Sequence, residues 1–543
     1  MDGVLTRNDI QDKLEKGEPL DRSVLVDLDL SRLLFSRSEL NGVIIRGSSL
    51  EDAEFKSVKI IDAVFDQVDV TRADFSNAVL SGSLMTNVNG DGACFSGAEI
   101  RKLTFMVDLI AVSDPARVTV SFAELQMPER DSKYLSASGI QGFYYGNASL
   151  CRADFTAAKL IKLTFTTVLL LDTNFTRAQI EMTTFEKCQC GKSDFTAAKL
   201  TGVKFYRSMV STASFVDAGL ENCQFVQVDL DHLDLRKARL NGVRFIQAEN
   251  LSQMRLPESL IRCEFHQCDL KGIDFSGKNL SEAVFVKTDL SNASFRGARL
   301  IGTRFQQCIL NRVDFRDMDL SQSDFIEAQI EGALFRNCNL TDADFSNSVA
   351  AKVDFRQAHM KGTLFIEADL KGARFNSAAI ESCEFKGAGL ERVDLSDATV
   401  SETDFNGVDF TTMTLSKTQF RLCNLQKCLF SQMNLAGIDV TDSDLEAADL
   451  SGAVLDDAKC RQVKFAKADL SNARLVRADC HTADFTESQL TGAVMSAADL
   501  RCACFSKANL TQCDMSNARM NRVELASAIC HQTNFINSQL TYG

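Results

Sequence analysis

Residues 261–300 read IRCEF HQCDL KGIDF SGKNL SEAVF VKTDL SNASF RGARL when they are divided into blocks of five. The fifth residue of every block is Phe or Leu, and the third is usually small, as Ala293 is beside Phe295. Side chains two residues apart in a strand lie on the same face, so the third and fifth residues of a block point inward together. The other three residues of the block are mostly polar and face water. If each block places two side chains inward and then turns, the repeated blocks wind into a solenoid. Each block then forms one face of that solenoid.

The alternation of Phe and Leu at the fifth position predicts the number of faces. Phe occupies positions such as 265 and 275, and Leu occupies 270 and 280. This period fits a coil of four faces, in which Phe stacks on Phe in two opposed columns; in a coil of three faces Phe would stack on Leu. Nearly all of the 38 Phe lie at multiples of five, so one register runs almost end to end. We therefore expect about 25 four-faced coils.

The third residue is small because a layer that holds two Phe and two Leu leaves little room beside them. Blocks of this form resemble the A(D/N)LXX signature of pentapeptide repeat proteins. Examples are TRADF (71–75), CRADF (151–155), TDADF (341–345), EAADL (446–450), SAADL (496–500) and SKANL (506–510). The resemblance extends over nearly the whole chain. It implies an all-β fold, a right-handed quadrilateral β-helix, and leaves the function open because the family is functionally diverse.

Breaks in the repeat divide the chain. Residues 1–19 precede it, residues 20–110 form its first part, residues 111–144 do not follow it, and residues 145–543 form its main part. In the main part, the apolar residues run out of phase near 248–260, which predicts a one-residue bulge.

The first segment has the features of a short helix. Thr6 or Asn8 can cap its start, Gly17 ends it after Lys16, and Pro19 blocks its continuation. We expect it to cover the first coil, because an open solenoid end exposes core and unpaired edges. This leader is similar to leaders of long bacterial pentapeptide repeat proteins encoded beside type VI secretion spike components.

The non-repeat segment is the candidate binding element. It contains two of the four prolines and the two Phe that leave the five-residue register. Long loops inside compact folds are often functional, and exposed aromatic residues beside Arg favour interfaces. The candidate partner-binding residues are Arg117, Phe122, Tyr134, Phe143, Tyr144 and Tyr145. The alternative is an excursion that only packs along the solenoid side.

No set of residues predicts catalysis, a cofactor or a metal. The five His are scattered singly, and P-loop, GxSxG, HExxH and dinucleotide motifs are missing from the sequence. Most of the 18 Cys stand at the small or the fifth position of a block, where a thiol acts as a small hydrophobe. Unpaired thiols of this kind indicate a reducing compartment. Asp residues before the fifth position, such as Asp194 and Asp274, are interpreted as a solvated ladder.

The charges and apolar runs of the sequence disfavour nucleic acids and membranes as direct partners. The net charge is −14, with 59 basic residues mixed among 73 acidic ones, and no basic stripe with aromatics indicates nucleic-acid binding. No apolar run approaches membrane-spanning length, and the N-terminus lacks the apolar core of a signal peptide. We expect a bacterial cytoplasmic protein, with secretion that needs no signal peptide left open.

These observations favour a non-enzymatic protein-binding scaffold, adaptor or chaperone of a bacterial assembly, for which the leader suggests type VI spike or effector loading. Two alternatives remain: a DNA mimic that interacts with DNA gyrase or topoisomerase, as the family resemblance allows, and a secreted effector that binds host proteins. The C-terminal residues carry no evident cap, so the last coil predicts pairing with a second copy or with another protein.

Overall fold

A computed structural model describes residues 5–36, 38–106 and 148–541. The chain divides into two units, Met1–Glu258 and Ser259–Gly543. Each unit is a parallel β-solenoid in its described part, which confirms the all-β class expected from the blocks of five.

In the first unit, two neighbouring faces of the coil carry three-residue strands. One face contains β1 (Val24–Val26), β3 (Ile44–Arg46), β5 (Val64–Asp66), β7 (Leu84–Thr86), β9 (Thr104–Met106), β11 (Thr164–Thr166), β13 (Thr184–Glu186), β15 (Lys204–Tyr206), β17 (Gln224–Val226) and β19 (Arg244–Ile246). The next face contains β2 (Glu39–Asn41), β4 (Lys59–Ile61), β6 (Val79–Ser81), β8 (Glu99–Arg101), β10 (Lys159–Ile161), β12 (Gln179–Glu181), β14 (Lys199–Thr201), β16 (Gly219–Glu221) and β18 (Arg239–Asn241).

The pairing register confirms the four-faced coil. Leu25 of β1 pairs with Ile45 of β3, one coil later, and Leu40 pairs with Ile60 on the second face. The other two faces pair through isolated bridges with the same offset, such as Asp29 with Ser49 and Leu34 with Glu54. One coil therefore takes four blocks of five residues.

The second unit follows the same rule with fewer continuous strands. Its strands are β20 (Glu264–His266), β21 (Val284–Val286), β22 (Arg304–Gln306), β23 (His359–Lys361), β24 (Ala379–Glu381), β25 (Thr399–Ser401) and β26 (Gln419–Arg421). Isolated parallel bridges, such as Asp324 with Asp344, join its coils elsewhere.

Phe columns fill the core as expected. The ring of Phe345 stacks on those of Phe325 and Phe365, with centroids 4.8 and 5.2 Å apart. It also meets Phe335 and Phe355 of the opposed column edge to face, at 5.5 and 5.4 Å. Both geometries are favourable beyond the burial of the rings.

The third residue of the block is buried beside the rings. Ala343 is fully buried. In several blocks this position is Thr or Ser, and the hydroxyl group donates a hydrogen bond to a backbone carbonyl of the preceding coil. Thr303 Oγ1 donates to the Leu280 carbonyl at 3.0 Å, and Ser323 Oγ donates to the Leu300 carbonyl at 2.9 Å. The third position can therefore hold a buried Ser or Thr, because a backbone carbonyl accepts the hydrogen bond of its hydroxyl group.

The corner between faces was not predicted. The second residue of the block is left-handed, as shown by Gln322 (φ 60°), Asp342 (φ 56°) and Gly272 (φ 64°). The conformation turns the chain onto the next face, and it accounts for the recurrence of Gly at this position.

The expected short N-terminal helix is present as α1 (Arg7–Lys16). Thr6 and Asp9 form a reciprocal capping box, and Gly17 ends the helix in the left-handed conformation. Ile10 is fully buried, and the Arg7 guanidinium donates to the carbonyls of Asp29 at 2.5 Å and of Ser31 at 2.8 Å. The helix is thereby fixed to the first coil.

Residues near 250 leave the repeat: Asn250 has φ 58°, and a 3-10 turn follows at Leu251–Gln253. Asp229 pairs with Glu249, but Asp234 pairs with Arg255, an offset one residue longer. One extra residue is therefore accommodated in this turn.

Candidate functional site

The predicted partner-binding residues lie outside the described part of the chain. Arg117, Phe122, Tyr134, Phe143, Tyr144 and Tyr145 all belong to residues 107–147. Their role as a binding element stays a prediction, and the structure describes the coils that precede and follow this segment.

The coils on either side of residues 107–147 stack directly on each other. The N–H groups of Gly90 and Phe95 each donate to the coil that begins at residue 148, to the carbonyls of Ser149 and Asp154 at 2.6 Å. The rings of Phe105 and Phe165 stack with centroids 4.9 Å apart. The ladder and the Phe column therefore continue directly from the coil that precedes this segment to the coil that follows it.

The residues that bracket the segment also match in sequence. If residues 108–147 are removed, Met106 and Val107 precede Ala148, Ser149 and Leu150. The result, MVASL, is a regular block with a small third residue and an apolar fifth residue. The segment therefore has the form of an insertion whose removal restores the repeat.

An apolar stripe lies on the outer surface of the face that contains β1 to β9. It consists of Val24, Ile44, Val64 and Leu84, which pair in register through β1, β3, β5 and β7. Val24 is 54% exposed and Ile44 is 37% exposed. The equivalent residue of the next strand is Thr104, two residues before the chain leaves the coil. Aligned exposed apolar side chains of this kind are typical of interaction surfaces.

A metal-ligand cluster is missing from the parts of the chain that the structure describes, and burial makes several of its thiols poor nucleophiles. No group of three or more His, Cys, Asp or Glu there could hold a metal ion. Burial raises the pKa of the Cys188 and Cys338 thiols to about 12, which keeps them protonated and unreactive near neutral pH. His266 Nε2 contacts Glu264 at 2.9 Å, and His481 Nδ1 contacts the Arg501 carbonyl at 2.8 Å.

The Asp residues before the fifth position have a structural role that the sequence did not reveal. Asp274 Oδ1 accepts the backbone N–H of Ser276 at 2.9 Å, and Asp194 Oδ1 accepts that of Thr196 at 2.8 Å. The hydrogen bonds from Ser276 lower the pKa of Asp274. These carboxylates hold the corner between faces, in addition to meeting solvent.

Of the described helices, none is both long enough and apolar enough to span a lipid bilayer. α1 has only Ile10 buried, and its other residues are mostly charged or polar.

Two repeat-family profiles match the chain. One, described as "Pentapeptide repeat region", matches residues 258–335, 288–365 and 308–385. The other, "Pentapeptide repeats (8 copies)", matches 69–102, 213–255, 375–411, 394–432, 423–462, 434–472, 464–501 and 503–541. A search of curated proteins found no match in sequence.

Several solved structures are similar to this chain. HetL, a pentapeptide repeat protein involved in heterocyst differentiation regulation in Nostoc, is 22% identical over 42% of this chain and 88% of its own, with a TM-score of 0.19. A thylakoid lumen pentapeptide repeat protein of Arabidopsis thaliana is 31% identical over 19% and 68%, with a TM-score of 0.14. QnrB1, a plasmid-mediated fluoroquinolone resistance protein, is 17% identical over 49% and 91%, with a TM-score of 0.14.

Proposed function

The chain belongs to the pentapeptide repeat family, and from this premise we propose that it is a non-enzymatic protein-binding scaffold or adaptor. The apolar stripe supports this proposal most directly, because it presents Val24 and Ile44 to solvent on a face with a fixed register. A scaffold needs such a surface and needs no catalytic group.

Residues 111–144 form the second part of the proposed binding surface. They follow β9, on the face that carries the stripe, and they contain the aromatic candidates Phe122, Tyr134 and Phe143. A partner that covers the stripe therefore also comes near the points where this segment leaves and returns. We propose a bacterial cytoplasmic assembly as the setting, with loading of a type VI spike or effector as the specific task suggested by the leader.

Pull-down from the source bacterium tests the proposal with two matched deletions. Deletion of 108–147 removes the segment and leaves the block MVASL. Deletion of 451–490 removes the same number of residues from the second unit and leaves the block TGAVM after Leu450. We expect the first deletion to abolish partner recovery and the second to retain it. Equal recovery with both deletions would remove the segment from the binding surface.

The stripe is tested by a substitution on the same face. Ile44→Glu places a charge within the stripe, whereas Thr184→Glu places one at the equivalent outward position of β13. We expect only Ile44→Glu to weaken binding of the recovered partner. Equal binding by both variants would contradict a role for the stripe.

A DNA mimic that interacts with gyrase is the second candidate. The net charge of −14 favours it, because such a mimic replaces the phosphates of DNA with carboxylates. A supercoiling assay separates the candidates: a mimic inhibits or protects gyrase at micromolar concentration, whereas a scaffold for another assembly leaves the reaction unchanged.

The last described coil offers a further contact. Its outward Ile536 is 67% exposed and its fifth-position Leu540 is 44% exposed. We propose that a second copy of the chain, or another protein, covers this coil. Light scattering of the wild type and of Leu540→Asp measures the effect, with loss of a dimer as the expected result; a monomeric wild type would leave only a different protein in that role.

A further inference from the structure

Two layers of the second unit lack usual backbone bonds on two neighbouring faces, one at residues 295–300 and one at residues 385–390, and the second of them borders a groove. In the layer before, Phe365, Glu367 and Leu370 donate to the carbonyls of Glu384, Lys386 and Gly389 at 2.8, 2.8 and 2.9 Å. In the layer after, Phe405, Gly407 and Phe410 donate to those of Asn424, Gln426 and Leu429 at 2.8, 2.8 and 3.0 Å. Within the described second unit, no such bond joins the N–H groups of Gly387 and Leu390 to the following coil, although a bridge between Glu384 and Asp404 remains beside them.

The opening is local. On the opposite faces of the same layer, β24 pairs with β25 and Leu395 donates to the Thr414 carbonyl at 2.9 Å. The rings of Phe385 and Phe405 remain stacked at 5.2 Å. We call the gap between residues 387–390 and 406–409 the open seam; it lies over an intact core.

A groove of about 930 Å³ follows the open seam. Its walls include Gly387, Gly389 and Gly407, which contribute no side chain to fill it. The fifth-position residues beneath it are almost covered, since Phe385 is 4% and Leu390 is 8% exposed. The groove is therefore wide at the surface and shallow.

Hydrogen-bond acceptors dominate the lining. The carboxylates in the groove belong to Glu384, Glu391, Glu402, Asp404 and Asp409. Lys386 is the cationic residue of the lining, and Lys371, outside the lining, pairs with Glu391 at 3.1 Å. Because the ladder is open, the backbone carbonyls of Asn406 and Asp409 also accept no bond from the preceding coil in this described region. No three carboxylates there converge closely enough to hold a metal ion. The charge is spread along the groove, which suits an extended cationic occupant.

We propose that the open seam is a docking site for an arginine-bearing segment of a partner protein. The guanidinium group has five N–H donors in a planar fork and no acceptor, so it complements carboxylates beside free carbonyls. A small cation satisfies only one end of such a groove. This inference rests on the proposed scaffold function in that the occupant is a protein segment, but the site and its test are independent of residues 107–147.

A fluorescein-labelled peptide of alternating Arg and Gly tests the proposal by fluorescence anisotropy on the full-length protein. The same peptide with citrulline in place of Arg keeps the shape and removes the charge. Glu384→Gln/Glu402→Gln removes two groove charges, and the control Glu446→Gln/Glu487→Gln removes two charges that pair with Lys467 and Lys507 elsewhere. We expect roughly tenfold weaker binding for the groove variant and unchanged binding for the control.

Gly389→Leu separates the groove from its charge. A Cβ at Gly389 would meet Asp369 only at ordinary contact distance, 3.6 Å, and Leu429 occupies the equivalent position two coils later. The variant fills the groove without changing the net charge, and far-UV circular dichroism verifies the fold. Loss of peptide binding by both Gly389→Leu and the groove charge variant is expected. Binding that survives Gly389→Leu, falls equally in the control, or persists with the citrulline peptide would overturn the proposal, whatever the pull-down shows.

Discussion

Single residues in this solenoid are constrained by their position in the block of five. The third position is the tightest, because its side chain shares a layer with Phe rings and is closed by the coils on either side. Ala343 is fully buried there, two residues before Phe345 in the same block.

Ala343→Leu is expected to destabilise the protein by about 1–3 kcal/mol, because a larger side chain forces the rings or the backbone to shift. Val349→Leu, at an outward position that is 46% exposed, is the matched control and has little effect. Urea unfolding followed by circular dichroism measures both. Equal free energies of unfolding for Ala343→Leu and wild type would show that the slot has spare volume.

The contribution of Asp354 to the stability of the fold depends on pH. Burial alone would raise its pKa, but hydrogen bonds from the side chain and backbone of Arg356, with the charges of Arg356 and Arg374, outweigh burial and lower the pKa. The Arg356 guanidinium donates to the carboxylate at 2.8 and 2.6 Å. A depressed pKa means that the carboxylate stabilises the fold above its unfolded pKa, and that this stability disappears as pH falls through the folded value.

Asp354→Asn should therefore cost about 1–3 kcal/mol near pH 7. The difference from wild type should shrink below about pH 4, the ordinary range for Asp. Asp397→Asn, at an exposed corner, is the control. Urea titrations at a series of pH values test the prediction, which fails if the difference between Asp354→Asn and wild type is the same at every pH.

At the scale of the element, the Phe columns behave as continuous stacks. Phe345 touches four other rings, two in its own column and two in the opposed one. Phe345→Ala is expected to cost about 3–5 kcal/mol, since it leaves a cavity and removes these contacts. Phe345→Leu should cost clearly less, because Leu fills the fifth position in the neighbouring columns. Urea unfolding compares the two, and equal losses would mean that ring stacking rather than volume determines stability.

The sequence predicted the elements better than the junctions between them. The spacing of Ala293 and Phe295 is sufficient to predict the inward pair, and the alternation of Phe and Leu is sufficient to predict four faces. The left-handed corner is different, because residues as unlike as Gln322 and Asp342 adopt it and position alone imposes it. The same limit applies to Asp274, whose bond to Ser276 depends on a turn that the pattern of apolar residues does not describe.

The open seam shows why the candidate site was harder to predict than the fold. Phe385, Leu390, Phe405 and Phe410 all occupy the fifth position, so the repeat appears regular through this region. Whether successive backbones stay within hydrogen-bonding distance depends on small displacements summed over many layers, and no short motif records them. The candidate binding residues from Arg117 to Tyr145, by contrast, were found from the break in the repeat, and their role stays a prediction.

For the molecule as a whole, the five-residue repeat predicts that the number of residues deleted matters less than whether the deletion keeps later blocks in register. Deletion of residues 451–470 removes one complete coil and leaves Leu450 followed by the block SNARL. Deletion of residues 451–453 removes far less but shifts every later block by three positions, which turns polar residues inward. We expect the first variant to unfold near the wild-type temperature and the second to lose its C-terminal coils. Thermal unfolding and limited proteolysis would show the reverse order if coils were not interchangeable.

The buried thiols lie in different coils, so their rates of chemical labelling report which coil opens first. Cys338, Cys423 and Cys513 are shielded in different coils, whereas Cys502 lies on the surface. An alkylating reagent modifies Cys502 directly, but it reaches each of the others only after the coil around that thiol has opened. Mass spectrometry of peptides from a timed labelling reaction therefore orders the local openings along the chain, without any engineered probe.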